Sequence, residues 1–156
     1  MNKLSRFAFA ALFVFTAVPL FAQENFTEGP ITRIILVHIR TGHGTDFWND
    51  VRQNLKPIYE EYKKQGIITN YDFFTKSSLD KPDDWNVGLA LTYQNYAALD
   101  GLAARTDPIT LKFYGSREAR TAAGNKRGEA SMQVESFLIR HIDPRPAGAA
   151  TTTPRP

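Results

Sequence analysis

The sequence predicts an α+β fold in which one antiparallel sheet carries helices on one face, and three observations lead there. Its periodic segments run strand, helix, strand, strand, helix, strand. The first and last of those strands are apolar on both faces. Finally, 156 residues with 42% hydrophobic and 22% charged content fit a single core and leave little for a second.

The chain starts with Lys3 and Arg6, followed by a nearly unbroken apolar run over 7–22 that closes on Leu20-Phe21-Ala22. That is the layout of a secretory signal peptide. A membrane-spanning helix needs about 20 apolar residues, and this run is shorter and contains Pro19. Cleavage after Ala22 removes two of the 19 basic residues and leaves 17 against 16 acids. So small a surplus disfavours nucleic-acid binding, which needs dense phosphate neutralisation, and leaves no membrane attachment after cleavage. The chain has no cysteine, which excludes disulfides, thiolate catalysis and thiolate metal sites. The expectation is an exported protein, periplasmic or secreted, stabilised by its core or by a second subunit.

Residues 23–29 are polar and read as a lead-in. Residues 31–40 form the first strand, with Ile35, Val37 and Ile39 on one face and Ile34 and Leu36 on the other. A turn at Gly42-His43-Gly44 follows, with Thr45 placed to cap a helix. Phe47, Val51, Leu55, Ile58 and Tyr62 make one helical stripe, and Gly66 is the expected stop. Pro57 disagrees with a straight helix and predicts a kink near 53–55. Residues 67–76 and 85–93 form a hairpin across a polar turn, the latter alternating Trp85, Val87, Leu89, Leu91, Tyr93 against the small residues Gly88 and Ala90. Asn95 caps a helix over 96–105, and Asp107-Pro108 opens a further helical segment interrupted at Gly115 and stopped at Gly124. The last strand is 130–142, and the proline-, alanine- and threonine-rich tail 143–156 is expected to be disordered. The predicted organisation is therefore a signal peptide at 1–22, one domain at 30–142 and the tail.

This element order is ferredoxin-like, βαββαβ. The stretch HIRTGHGTDFWNDVRQNLKPIYEEY and the later VGLALTYQNYAALDGL resemble the dimeric α/β barrel group, which includes antibiotic-biosynthesis-monooxygenase-like, stress-responsive and NIPSNAP-like domains. The resemblance covers residues 30–142 by element order. It implies a homodimer and a cavity between sheet and helices. Because the first strand is apolar on both faces and its helix covers one, a second copy is the economical cover for the other. About two dozen residues between Arg105 and Glu129 exceed an ordinary loop; they form the extra helical segment before the last strand and suit a lid. Nothing matches the asparagine, tryptophan and histidine set of the haem-degrading members, so no haem or other cofactor is implied.

His43, in the glycine turn, is the candidate acid or base, and the plainer reading, which is favoured, is an exposed turn histidine. Pocket candidates are His38 and His43 with Tyr71, Phe73 and Trp85, and beyond them Gly88, Ala90, Tyr93 and Tyr114. The same aromatics suit a core and a dimer interface. His38 and His141 fall at opposite ends of an antiparallel strand pair, which argues against a metal site. The segment 105–127 is basic, through Arg105, Lys112, Arg117, Arg120, Lys126 and Arg127, and suits an anion or simply a solvated helix face. Hydrolase, phosphate-loop and dinucleotide motifs are missing. Three function classes remain: an exported homodimeric small-molecule-binding or stress-associated domain, a cofactor-independent monooxygenase or isomerase acting on an aromatic substrate, and a non-enzymatic interaction module.

Overall fold

Strand β1 (Phe26–Ile39) lies inside a four-stranded sheet of order β2-β3-β1-β4, with every neighbouring pair antiparallel. The computed structural model describes residues 26–145; the expected signal peptide at 1–22, and the tail from 146 onward, lie outside the described residues. After β1 come α1 (Gly44–Asp50), a π-helical turn (Val51–Leu55), α2 (Lys56–Lys64), β2 (Asn70–Thr75) and β3 (Val87–Tyr93). A 3-10 turn (Tyr96–Leu99), α3 (Leu102–Tyr114), α4 (Arg117–Ala130) and β4 (Ser131–Pro144) complete the chain. This is the ferredoxin-like topology, with two helices, α3 and α4, where the βαββαβ order needs one.

The strands alternate as a half-buried sheet does. Ile35, Val37 and Ile39 share one face with Val87, Leu89, Leu91, Tyr93 and Phe73, and two apolar clusters join that face to the helices. The register puts Thr32, Ile34 and Leu36 opposite Thr92, Ala90 and Gly88 on the other face, which none of the described helices covers.

The stripe on α1 and α2 is as expected, with Phe47, Val51, Ile58 and Tyr62 buried. The predicted kink is the π-helical turn, which ends two residues before Pro57. A proline has no N–H for the carbonyl four residues back, and a widened turn absorbs that mismatch. Gly66 ends the helix at φ 68, and the N–H groups of Gly66 and Ile67 return to the carbonyls of Lys63 and Tyr62.

Several boundaries differ from expectation. Helix α1 starts at Gly44, with His43 as its N-cap and no side-chain cap, so Thr45 is already helical. Phe26 pairs with Pro144 and Thr27 with Asp143, so part of the predicted lead-in and the first tail residues are strand; polar residues pair there because a partner strand satisfies their backbone groups. Strand β2 begins at Asn70, and Ile67 and Ile68 are core plugs in the preceding connection, 4% and 2% exposed. Trp85 precedes β3 and leaves its face, standing edge-on to Phe74 at 5.9 Å between ring centroids.

The helix expected over 96–105 is divided: a 3-10 turn at Tyr96–Leu99, capped as predicted by the Asn95 side chain, which accepts from the Ala98 N–H, and then the first residues of α3 from Leu102. Pro108 lies within α3 rather than at a helix start. The carbonyl it cannot serve belongs to Ala104, an exposed residue, where water reaches it. Gly115 does interrupt, at φ 80, and Ser116 caps α4 through the Ala119 N–H. Gly124 is not a stop. Helix α4 runs through it because the far end is anchored, by an Arg127–Asp50 ion pair and by buried Ala130.

Candidate functional site

Three helices present polar side chains to one cleft behind the sheet. Tyr59 and Tyr62 come from α2, Thr110 and Tyr114 from α3, and Arg120 and Arg127 from α4; with Leu55 and Ile58 they enclose ≈ 230 Å³. Their spacing is helical: Leu55 and Tyr59 are one turn apart, and Arg120 and Arg127 two turns apart on one face of α4.

Arg127 is held in place from two sides. Its Nε donates to Asp50 Oδ2 at 2.6 Å, and its Nη2 donates to Asp50 Oδ1 and to the Tyr114 hydroxyl, each at 3.4 Å. Burial disfavours its charge, but the bonds to Asp50 and Tyr114 outweigh that and hold it above the ordinary arginine value. Asp50 in turn accepts from Asn54 Nδ2 at 2.7 Å. Arg120 Nη1 donates to Asp107 at 3.0 Å and to Thr110 at 3.2 Å.

The phenols of this region are pushed toward the neutral form. Burial raises the Tyr59 hydroxyl far above its usual range, against the pull of Arg127. Burial also raises Tyr62, opposed by a bond from Thr106, and Tyr93, opposed by Arg33 and Arg105. Tyr71 is pushed up to about 12 by burial and by its 2.5 Å bond to Glu60. A phenol held neutral donates a hydrogen bond and is a poor base.

A second, polar cleft of ≈ 210 Å³ lies between α1 and α4, lined by Asp46, Asp50, Lys126 and Arg127 among others. Arg127 therefore stands in a wall common to both clefts, and Asp50 borders only this one. A shallower groove of ≈ 410 Å³ separates α2 from α3 on the outside, between Pro57, Glu61, Lys64 and Phe113.

The structure splits the sequence-predicted pocket residues. Tyr114 lines the tyrosine cleft, and Tyr71, Phe73 and Tyr93 pack in the core beside it. Gly88 and Ala90 lie on the opposite face of the sheet, as their register partners Leu36 and Ile34 do. The room expected at Gly88 is filled by Phe74, whose Cε2 would lie 2.1 Å from a Cβ there. His38 donates from Nδ1 to the Asp84 carbonyl at 2.6 Å, which leaves Nε2 as the acceptor nitrogen. His43 faces Asp46 at 3.6 Å and lines none of these three clefts. His141 is bonded to Thr32 at 2.9 Å, whereas His38 pairs with Met132 at the other end of the sheet. Among the described residues no group of three or more metal-ligating side chains converges.

Sequence reasoning misses Tyr59 although its spacing shows it, four residues after Leu55 and eight after Val51. Arg120 and Arg127 are visible there only as members of a basic segment, because nothing local marks which face of α4 turns inward.

No family model matches the chain, and no curated protein matches it. Similar solved structures include a dimeric ferredoxin-like protein of unknown function from Jannaschia sp. CCS1, 11% identical over 72% of this chain and 98% of that chain, with a TM-score of 0.42. Another is a dimeric protein of unknown function and ferredoxin-like fold from Bacteroides fragilis NCTC 9343, 16% identical over 72% and 94%, with a TM-score of 0.38. A third is a DABB family protein with a ferredoxin-like fold from Mesorhizobium loti, 12% identical over 72% and 95%, with a TM-score of 0.35.

Proposed function

We propose that the chain is an exported, homodimeric domain that binds a small molecule in the cleft between α2, α3 and α4. The observation that carries this reading is the cleft itself, concave, set behind the sheet, and lined by three tyrosines and two arginines. Rings and aliphatic walls with a few converging polar groups are the ordinary make-up of a ligand site. Export rests on the sequence of residues 1–22, and the homodimer rests on the apolar sheet face that none of the described helices covers.

Amide chemical-shift mapping with a fragment set of phenols, amides and carboxylates tests the site. Fragments are expected to perturb Tyr59, Tyr114 and Arg127, and to lose that effect in Thr110→Trp, which places an indole in the cleft. Binding that spares those amides, or that survives unchanged in a Thr110→Trp protein of native circular dichroism, removes the cleft as the site.

A further inference from the structure

We propose that this cleft takes a single-ring aromatic carboxylate, with the carboxylate bound between Arg127 and the Tyr59 hydroxyl. The proposal rests on the small-molecule reading above and narrows it to one chemical class.

The first argument is charge. The lining holds two guanidinium groups and no carboxylate, since Asp50 and Asp107, which pair with them, are not among the lining residues. Each guanidinium has five N–H donors. Asp50 engages the Nε–Nη2 edge of Arg127 from the neighbouring cleft, which leaves the Nη1 donors for a ligand. A carboxylate is the acceptor that gains a charge-assisted hydrogen bond from such a donor.

The second argument is an unused donor. Tyr59 is half-buried and touches Tyr62, Tyr71 and Phe73 through its ring. Among the described residues its hydroxyl makes no hydrogen bond, whereas those of Tyr71 and Tyr114 each have a partner. No fully enclosed side-chain polar atom among the described residues lacks a partner, so this hydroxyl is reached from the cleft. With no bond to the protein to break, this hydroxyl is free to donate to a ligand oxygen in the cleft.

The third argument is size and surface. A dry cavity of about 150 Å³ suffices for benzene, so an open cleft of ≈ 230 Å³ has room for one substituted ring. Leu55, Ile58 and the faces of Tyr62 and Tyr114 suit a ring. Inorganic phosphate satisfies the cations and leaves those surfaces unfilled, and a neutral phenol fills them and leaves Arg127 unmatched.

Calorimetry on the full chain with benzoate, benzamide, acetate and inorganic phosphate tests this. Benzoate is expected to bind on the order of tenfold tighter than benzamide, with acetate and phosphate weaker still. Tyr59→Phe is expected to weaken benzoate on the order of tenfold with Tm unchanged, because the hydroxyl makes no bond in the free protein. Arg127→Lys keeps a cation beside Asp50 and is expected to weaken benzoate further, because an ammonium held by Asp50 lacks the second arm that Nη1 extends to the ligand. Benzamide binding as tightly as benzoate overturns the carboxylate proposal and leaves the small-molecule reading standing. Phosphate binding more tightly than benzoate overturns the aromatic part, and failure of benzoate to bind overturns this proposal while the fragment mapping above decides the small-molecule reading.

Discussion

Asp84 is a carboxylate with almost no exposure, and it is tolerated because its oxygens are used. It accepts from the backbone N–H groups of Asp80 and Trp85 and pairs with Lys76, which also reaches Asp80 and lies 5.5 Å from the centre of the Trp85 ring. The bond from Lys76 foremost, then the Asp80 N–H, holds Asp84 below its ordinary value of 3.8. A folded-state value below the unfolded one contributes stability above the unfolded value and loses it as pH falls through the folded one. Lys76 is raised above 10.5, chiefly by Asp80 and then Asp84, so its contribution is complete below that value and fades as pH rises through the raised one. Asp84→Asn is expected to be less stable than wild type at neutral pH, with the difference shrinking as pH falls below 3.8. Denaturant melts of both proteins across the acid range measure it, and a constant difference would contradict the assignment. The same turn carries the backbone carbonyl that fixes the His38 tautomer, so one cluster of polar residues orders the loop between β2 and β3 and the end of β1.

Among the elements, α4 departs furthest from its local signals. A reading of Gly124 as a helix stop places it in the left-handed region, where alanine is strained. In the structure it is helical, and beyond its own helix nothing lies within 4 Å of the position a methyl group would take. Gly124→Ala is therefore expected to stabilise the protein by about 0.5–1 kcal/mol, read as a rise in denaturation midpoint at constant slope; a loss of that size would restore the stop. Strand β4 follows α4 with no loop between Ala130 and Ser131. A bulge where Leu36 pairs with Glu135 but Val37 with Gln133 shifts the alternation of β4. It brings Met132, opposite His38, onto the same face as Phe137 and Ile139, opposite Ile34 and Thr32. Counting by twos from the sequence separates Met132 from that pair.

At the scale of the whole molecule, the uncovered sheet face is the main unfinished surface. Met132, Phe137 and Ile139 are 43%, 39% and 38% exposed on a 14-residue edge strand. Exposed apolar residues along a sheet edge invite association, and a second copy of the same face is the closed, symmetric way to cover them. Phe137→Glu is expected to convert a dimer into a monomer in sedimentation at micromolar concentration, since it sets a carboxylate in the centre of the covered patch. A wild-type chain that sediments as a soluble monomer would refute the dimer.

The sequence by itself determined the order of the elements, the helix stripe from Phe47 to Tyr62, the disturbance at Pro57 and the stop at Gly66. Each of these depends on a period, a missing N–H or a φ value, all of which act within a few residues. It also showed that β1 is apolar on both faces, the origin of the dimer expectation. Tertiary structure decided the rest. The paired ends of β1 and β4 are polar and read as lead-in and tail until the partner strand lies alongside. Phe74 closes over Gly88 because two strands in register bring them together, which no spacing in the chain reports. The cleft depends on which faces of α2, α3 and α4 meet: Tyr114 stands out among the aromatics, Tyr59 is legible from its spacing, and Arg120 and Arg127 acquire their place only when α4 packs and they meet Asp107 and Asp50. Site chemistry assembled from three helices is a long-range property, and composition records only that the residues are present.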